Sequence, residues 1–155
     1  EGRSALLLSK AKDATASCAL GPFIRLFDDG FTIDDVRTAN VDLVVEGTDN
    51  FRMEGTNVMS EISRDPLDLV RQTMTEHHYP DGFVLFCGTL FAPVQDRDAP
   101  GKGFTHKVGD RVTISSRRLG SLTNTVTIAR DAPAWTVGIA AFMKNLASRG
   151  LIDRI

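Results

Sequence analysis

Cysteine is scarce in this chain. The 155 residues hold two, Cys18 and Cys87, far apart and in apolar surroundings. A single disulfide between them is one reading. A reduced, cytoplasmic protein is the other, and it is the one we expect. Excess positive charge is missing as well: 18 Lys and Arg face 20 Asp and Glu, for a net charge of −2 and a pI near 5.9. That balance lacks the basic footprint of a nucleic-acid partner. No apolar run reaches the length of a membrane span. Leu6-Leu7-Leu8 is too short for the apolar region of a signal peptide and has the wrong flanks. No internal repeat or low-complexity linker interrupts the chain, so residues 1–155 are expected to form one domain. Gly101-Lys102-Gly103 is followed by no helical pattern and no Ser or Thr at the needed offset, which excludes a phosphate loop. Glu76-His77-His78 lies at the end of an expected helix. Adjacent helical residues point about 100° apart, so two neighbouring histidines do not easily face one ion.

What remains has ordinary globular proportions: 42% apolar and 25% charged residues, enough for a real core. The stretch most suggestive of a site is Asp81-Gly82-Phe83-Val84-Leu85-Phe86-Cys87-Gly88-Thr89. Four continuous apolar residues after a turn pair predict a strand buried on both faces. Its end offers a close-approach backbone and a hydroxyl, suited to a small polar ligand. The plainer reading is a core strand with a glycine bend and nothing bound.

The other elements follow from local patterns. Lys10 and Lys12 alternate with Ala11 and share a face of an extended segment, and a lone lysine such as Lys12 is in general solvated surface. The small residues Asp13 to Leu20 end in a Gly21-Pro22 turn. Phe23 to Phe27 reads as a strand. Thr32 with Asp35 resembles a capped turn. Val41 to Glu46 reads as a strand with Val41, Leu43 and Val45 on one face, answered by Phe51 to Glu54 in a hairpin. Asp65 as N-cap and Pro66 at the first position open a helix expected to run to His77 or His78. Residues 95–107 form a long polar loop, either a functional lid or a flexible excursion. Val112 and Ile114 lie on one face of a strand whose hairpin partner is Leu119 to Val126. Val137 to Leu146 is helical, with Gly150 at its C-terminus.

Taken in order, Lys12, then Ala19-Leu20-Gly21-Pro22, Gly55-Thr56, Cys87-Gly88-Thr89, Val108-Gly109-Asp110-Arg111-Val112 and Leu119-Gly120-Ser121-Leu122-Thr123-Asn124-Thr125-Val126 resemble the fumarylacetoacetate hydrolase family over about residues 1–128. The ordered set carries the resemblance, since no single motif is specific. The Ser17-Cys18-Ala19-Leu20-Gly21-Pro22 version is similar to that of members acting on sugar-acid-derived 2-oxo acids. The resemblance implies an α+β, β-rich fold: a mixed β-roll of bent strands with peripheral helices. It implies a divalent cation, Mg2+ or else Mn2+ or Ca2+, a small-molecule 2-oxo acid or diketo acid substrate, an enolate, and a homodimer. Hydrolytic C–C cleavage is the expected reaction, and dehydration of a 2-keto-3-deoxy sugar acid is the alternative.

The resemblance further implies that Lys12 approaches the substrate as a catalytic cation. Thr89, catalytic alongside Lys12, would with Gly88 bind its carboxylate or oxo oxygen, and Glu1 and Arg3 would make substrate contacts at the pocket edge. Cys87 stands where relatives carry Thr or Ser and reads best as a small buried hydrophobe. The family's metal ligands, a Glu-x-Glu pair and an Asp, precede its lysine. Here only Glu1 does so among glutamates, and the chain opens on Glu1 rather than methionine. We therefore expect a C-terminal portion of a larger catalytic domain, with no metal ligands of its own and little activity alone. A non-catalytic binding or structural module is the expectation if the chain is complete.

Overall fold

Two antiparallel hairpins, joined through their first strands, make the sheet. A computed structural model describes residues 14–21, 23–88 and 93–153, which fall into two units. One spans Leu20–Val126; the other holds the described residues 14–19 and 127–153. In the larger unit, strands β1 (Asn40–Glu46), β2 (Arg52–Val58), β3 (Arg111–Ser116) and β4 (Gly120–Thr125) lie in the order β2-β1-β3-β4. All three pairings are antiparallel, with Val45 opposite both Met53 and Val112, and Leu43 opposite Ile114. The chain is thus a mixed α+β fold built on a four-stranded antiparallel sheet with a few helices.

Side chains alternate along a strand, so this register sorts the residues into two faces. Val41, Leu43 and Val45 share theirs with Met53, Val112 and Ile114, as the alternation predicts. Val45 is fully buried there and Met53 is 2% exposed. The opposite face is polar. Glu46 accepts hydrogen bonds from Arg52 and Arg111, each at 3.0 Å or slightly more. The Thr56 hydroxyl donates to Asp42 at 2.7 Å, and the hydroxyls of Thr113 and Thr123 meet at 3.0 Å. Exposed ion pairs of this kind stabilise by at most about 1 kcal/mol each. Their larger effect is to mark this side as the solvated face of the sheet.

The helices begin where local chemistry says they should. At α1 (Ile33–Arg37), Asp35 reaches back to accept the Thr32 backbone N–H at 2.7 Å, half of a capping box. At α2 (Pro66–Met74), Asp65 accepts the Leu67 N–H at 2.9 Å, and Pro66 fills the first position. Arg37 ties the two together by donating from Nε to Asp65 at 2.5 Å. Helix α2 stops at Met74, short of the expected His77 or His78. Thr75 turns extended, and Glu76 takes a left-handed φ of 54°.

Two expected strands are absent among the described residues. Phe23 to Phe27 joins no ladder, and Phe23 is 90% exposed. Residues 82–88 are irregular, with Val84 and Phe86 both exposed, so the doubly buried strand expected at Asp81 to Thr89 is not formed there. The physical reason is the same for both. An apolar run becomes a buried strand only beside a partner strand and under a covering layer, and no described strand pairs with either segment. Cys87, expected as a buried hydrophobe, is exposed, and both Cys18 and Cys87 are free thiols.

In the smaller unit, a 3-10 turn (Ala129–Asp131) precedes α3 (Ile139–Ser148). Gly150 closes that helix at φ 67°, with Gly150 N–H donating to Ala147 O and Leu151 N–H to Leu146 O. This is the paired-bond stop that a glycine past the helix end permits. No helix among the described residues is long and apolar enough to cross a membrane.

Candidate functional site

Four of the sequence-predicted site residues, Glu1, Arg3, Lys12 and Thr89, lie outside the described residues. The fifth, Gly88, is described. It is exposed at φ 79°, a left-handed bend with nothing within 4 Å of where a side chain would begin. The glycine bend read from the sequence is therefore present. Among the described residues no group of three or more His, Cys, Asp or Glu converges to hold a metal ion. The described side chains do not fit a divalent cation. His77 and His78 make a local contact instead: the His78 N–H donates to His77 Nδ1 at 3.0 Å, and the His77 ring lies against Tyr79.

The described residues do build one closed charged centre, on the loop before β3. Arg97 has a side chain only 1% exposed. Its guanidinium grips Asp110 through Nη1 at 2.5 Å and Nη2 at 2.7 Å. It also grips Asp49, in the β1–β2 turn, through Nη2 at 2.9 Å and Nε at 3.2 Å. Nη1 donates once more, to the Thr105 carbonyl. A guanidinium has five N–H donors, so none is left over. Phe51 lies under it, with the cation 4.7 Å from the ring centroid. Lys107 adds its backbone N–H to Asp110 at 2.8 Å and its ammonium to Asp49 and Asp98.

The electrostatics follow from this wiring. The Arg97 hydrogen bonds hold the Asp110 carboxyl down at about 2, against the opposing effect of burial, with the Lys107 N–H helping. Asp49 is likewise held well below the usual carboxylate range, first by Arg97 and then by Lys107. The Arg97 guanidinium is pushed up by both. Asp49 and Asp110 are thus both held in the ionised form, and every Arg97 donor is used. Such a centre holds a loop in place. The loop of residues 95–107, read as either a lid or a flexible excursion, is in fact strapped to the sheet. Asp96 reinforces the strap by accepting the N–H groups of Gly101 and Gly103 at 2.7 and 2.6 Å.

Glycines make the close approach possible. A methyl group on Gly47 would overlap Asp49 and the Arg97 guanidinium. Gly109 sits at φ 91°, and a methyl there would meet the Thr48 methyl at 3.2 Å. Gly109→Ala should therefore destabilise the protein by about 1–3 kcal/mol through backbone strain. Urea unfolding would read this as a lower midpoint at unchanged slope. The sequence marked Gly109 and Asp110 as a motif but did not reveal Arg97. The only local signal was Arg97 standing between two acids, Asp96 and Asp98.

A second feature is an open cleft. Helix α1, the start of β1 and the β3–β4 turn enclose about 440 Å³, lined among others by Phe31, Asp35, Asp42, Arg117 and Arg118. Arg118 is committed: it donates to Asp35 and to the Gly30 carbonyl and lies over the Phe31 ring at 5.4 Å. Asp35 is committed in return, to Arg118 and to Thr32. Phe31, 4% exposed, also has the Arg25 guanidinium 5.1 Å from its ring centroid and is stacked with Phe27.

No protein family, no curated protein and no solved structure matches this chain.

Proposed function

We propose that this chain contributes to a divalent-metal-dependent enzyme that acts on a 2-oxo acid or diketo acid through an enolate, by hydrolytic C–C bond cleavage. The observation that carries the reading is the ordered motif set, from Lys12 through Gly88-Thr89 to Val108–Val112 and Leu119–Val126. In this reading Lys12 supplies a cation beside developing enolate or carboxylate charge, or moves a proton. The Thr89 hydroxyl and the Gly88 backbone N–H hold the substrate's carboxylate or oxo oxygen. Glu1 and Arg3 make polar contacts at the pocket edge. Magnesium, when bound, would supply Lewis-acid polarisation. A cytoplasmic homodimer belongs to the same proposal.

The Ser17-Cys18-Ala19-Leu20-Gly21-Pro22 segment favours a second reaction for the same site, dehydration of a 2-keto-3-deoxy sugar acid. One assay separates the readings. The protein is incubated with acylpyruvates and with 2-keto-3-deoxy aldonates, with and without magnesium. Magnesium-dependent release of a carboxylic acid supports hydrolysis, and loss of water without chain cleavage supports the dehydratase. Inactivity on the entire panel with magnesium present counts for a non-catalytic module.

A further inference from the structure

We propose that the cleft between α1, β1 and the β3–β4 turn binds a small zwitterionic amino acid. Its carboxylate would sit on Arg117 and its ammonium on Asp42. Charges share this cavity without pairing. Two aspartates, Asp35 and Asp42, and two arginines, Arg117 and Arg118, are among its lining residues. Asp35 and Arg118 satisfy each other. Among the described residues, Asp42 and Arg117 make no ion pair, with each other or with any neighbour. Asp42 accepts only the neutral Thr56 hydroxyl, on Oδ1. Its charge is uncompensated, and its second oxygen is open. Arg117 makes no hydrogen bond among the described residues, so its planar fork is wholly available, and that fork matches a carboxylate.

A cation and an anion left unpaired in one cavity describe the inverse of a zwitterion. A plain carboxylate would leave Asp42 facing it as a repelling charge, and a plain amine would do the same to Arg117. The cavity volume suits the task, lying at the small end of ligand sites. Phe31, Ala39 and Leu119 give the lining an apolar part, while Asn40 and Ser116 add polar groups. An aliphatic amino acid uses both. Asp42 and Arg117 are exposed, so water and salt weaken the attraction. An affinity on the order of 1 mM is expected, declining as ionic strength rises.

The test is titration of the intact chain with L-leucine, followed by NMR shifts or calorimetry. Saturable binding is expected, with leucinamide and 2-hydroxy-4-methylpentanoate each weaker by about tenfold or more. Arg117→Ala and Asp42→Asn should each weaken L-leucine by a similar factor. Both positions are exposed, and Asp42→Asn keeps an acceptor for Thr56, so circular dichroism and the melting midpoint should be unchanged. No saturable binding of L-leucine would overturn the proposal. So would equal affinity for the hydroxy acid, or affinity undiminished in Arg117→Ala.

Discussion

Asp110→Ala should destabilise the larger unit by about 3–5 kcal/mol, the usual result of removing one partner from a buried ion pair. The size of the effect comes from what is left behind. Arg97 is 1% exposed and has no route to water for the two donors that Asp110 accepts. Asp49 keeps its own two bonds but does not reach the vacated position. Asp49→Ala should cost less, because its carboxylate is 38% exposed and water can replace it. A further variant distinguishes charge from packing. Arg97→Met combined with Asp110→Leu removes both charges and should recover part of the loss, since a matched apolar pair avoids the stranded cation. The pH dependence has a definite sign. The Asp110 carboxyl is held at about 2 in the folded protein, below its unfolded value of about 3.9. Its stabilisation is therefore fully present above about pH 5 and is lost as pH falls through 4 toward 2. The stability difference between the native sequence and Asp110→Asn, followed by urea unfolding, should be constant at neutral pH and shrink over that acid range. A loss below about 1 kcal/mol for Asp110→Ala would show that the loop is not held by this centre.

Local rules read well from this sequence, and long-range ones did not. The Thr32–Asp35 cap, the Asp65-Pro66 helix start and the Gly150 stop each depend on atoms within a few residues. All three appear with the expected hydrogen bonds. The alternation at Val41, Leu43 and Val45 and at Val112 and Ile114 carries the sheet faces for the same reason: period two is a property of one strand. The helix end at Met74 is not legible in the sequence because Thr75 and Glu76 are not strong stop signals, and only the backbone shows Glu76 at positive φ. The apolar runs at 23–27 and 83–86 illustrate a deeper limit. Hydrophobicity records that a segment prefers burial, not what would bury it. The Arg97 centre shows the same limit for charge. Asp49 and Arg97 are 48 residues apart, and nothing periodic links them. Of the candidate site, only the Gly88 bend falls on described residues, and it has the left-handed backbone that a glycine there suggests. The roles of Lys12 and Thr89 rest on the motif order alone, and chemistry rather than geometry has to test them.

On the 2-oxo acid reading, Lys12→Ala should lower turnover by roughly 10²- to 10⁴-fold, the range for loss of a positioned proton-transfer group. Folding stability should be unchanged. The contrast between the two readouts is the substance of the test. If Lys12 is an ordinary solvated lysine, its removal alters neither stability nor rate. If it acts on the substrate, the rate falls alone. Lys12→Arg then separates two roles. An arginine keeps the positive charge but does not give up its proton at neutral pH. Substantial recovery in Lys12→Arg would mean that the residue stabilises developing negative charge, and continued inactivity would mean that it moves a proton. Thr89→Val supplies the complementary arm. A hydroxyl that holds the substrate's oxygen equally in ground and transition states affects KM more than kcat. Loss of kcat in Lys12→Ala with a raised KM in Thr89→Val is the expected pairing. Normal turnover in Lys12→Ala on a substrate that the native protein consumes would remove Lys12 from the chemistry, and with it the strongest single point of the 2-oxo acid reading.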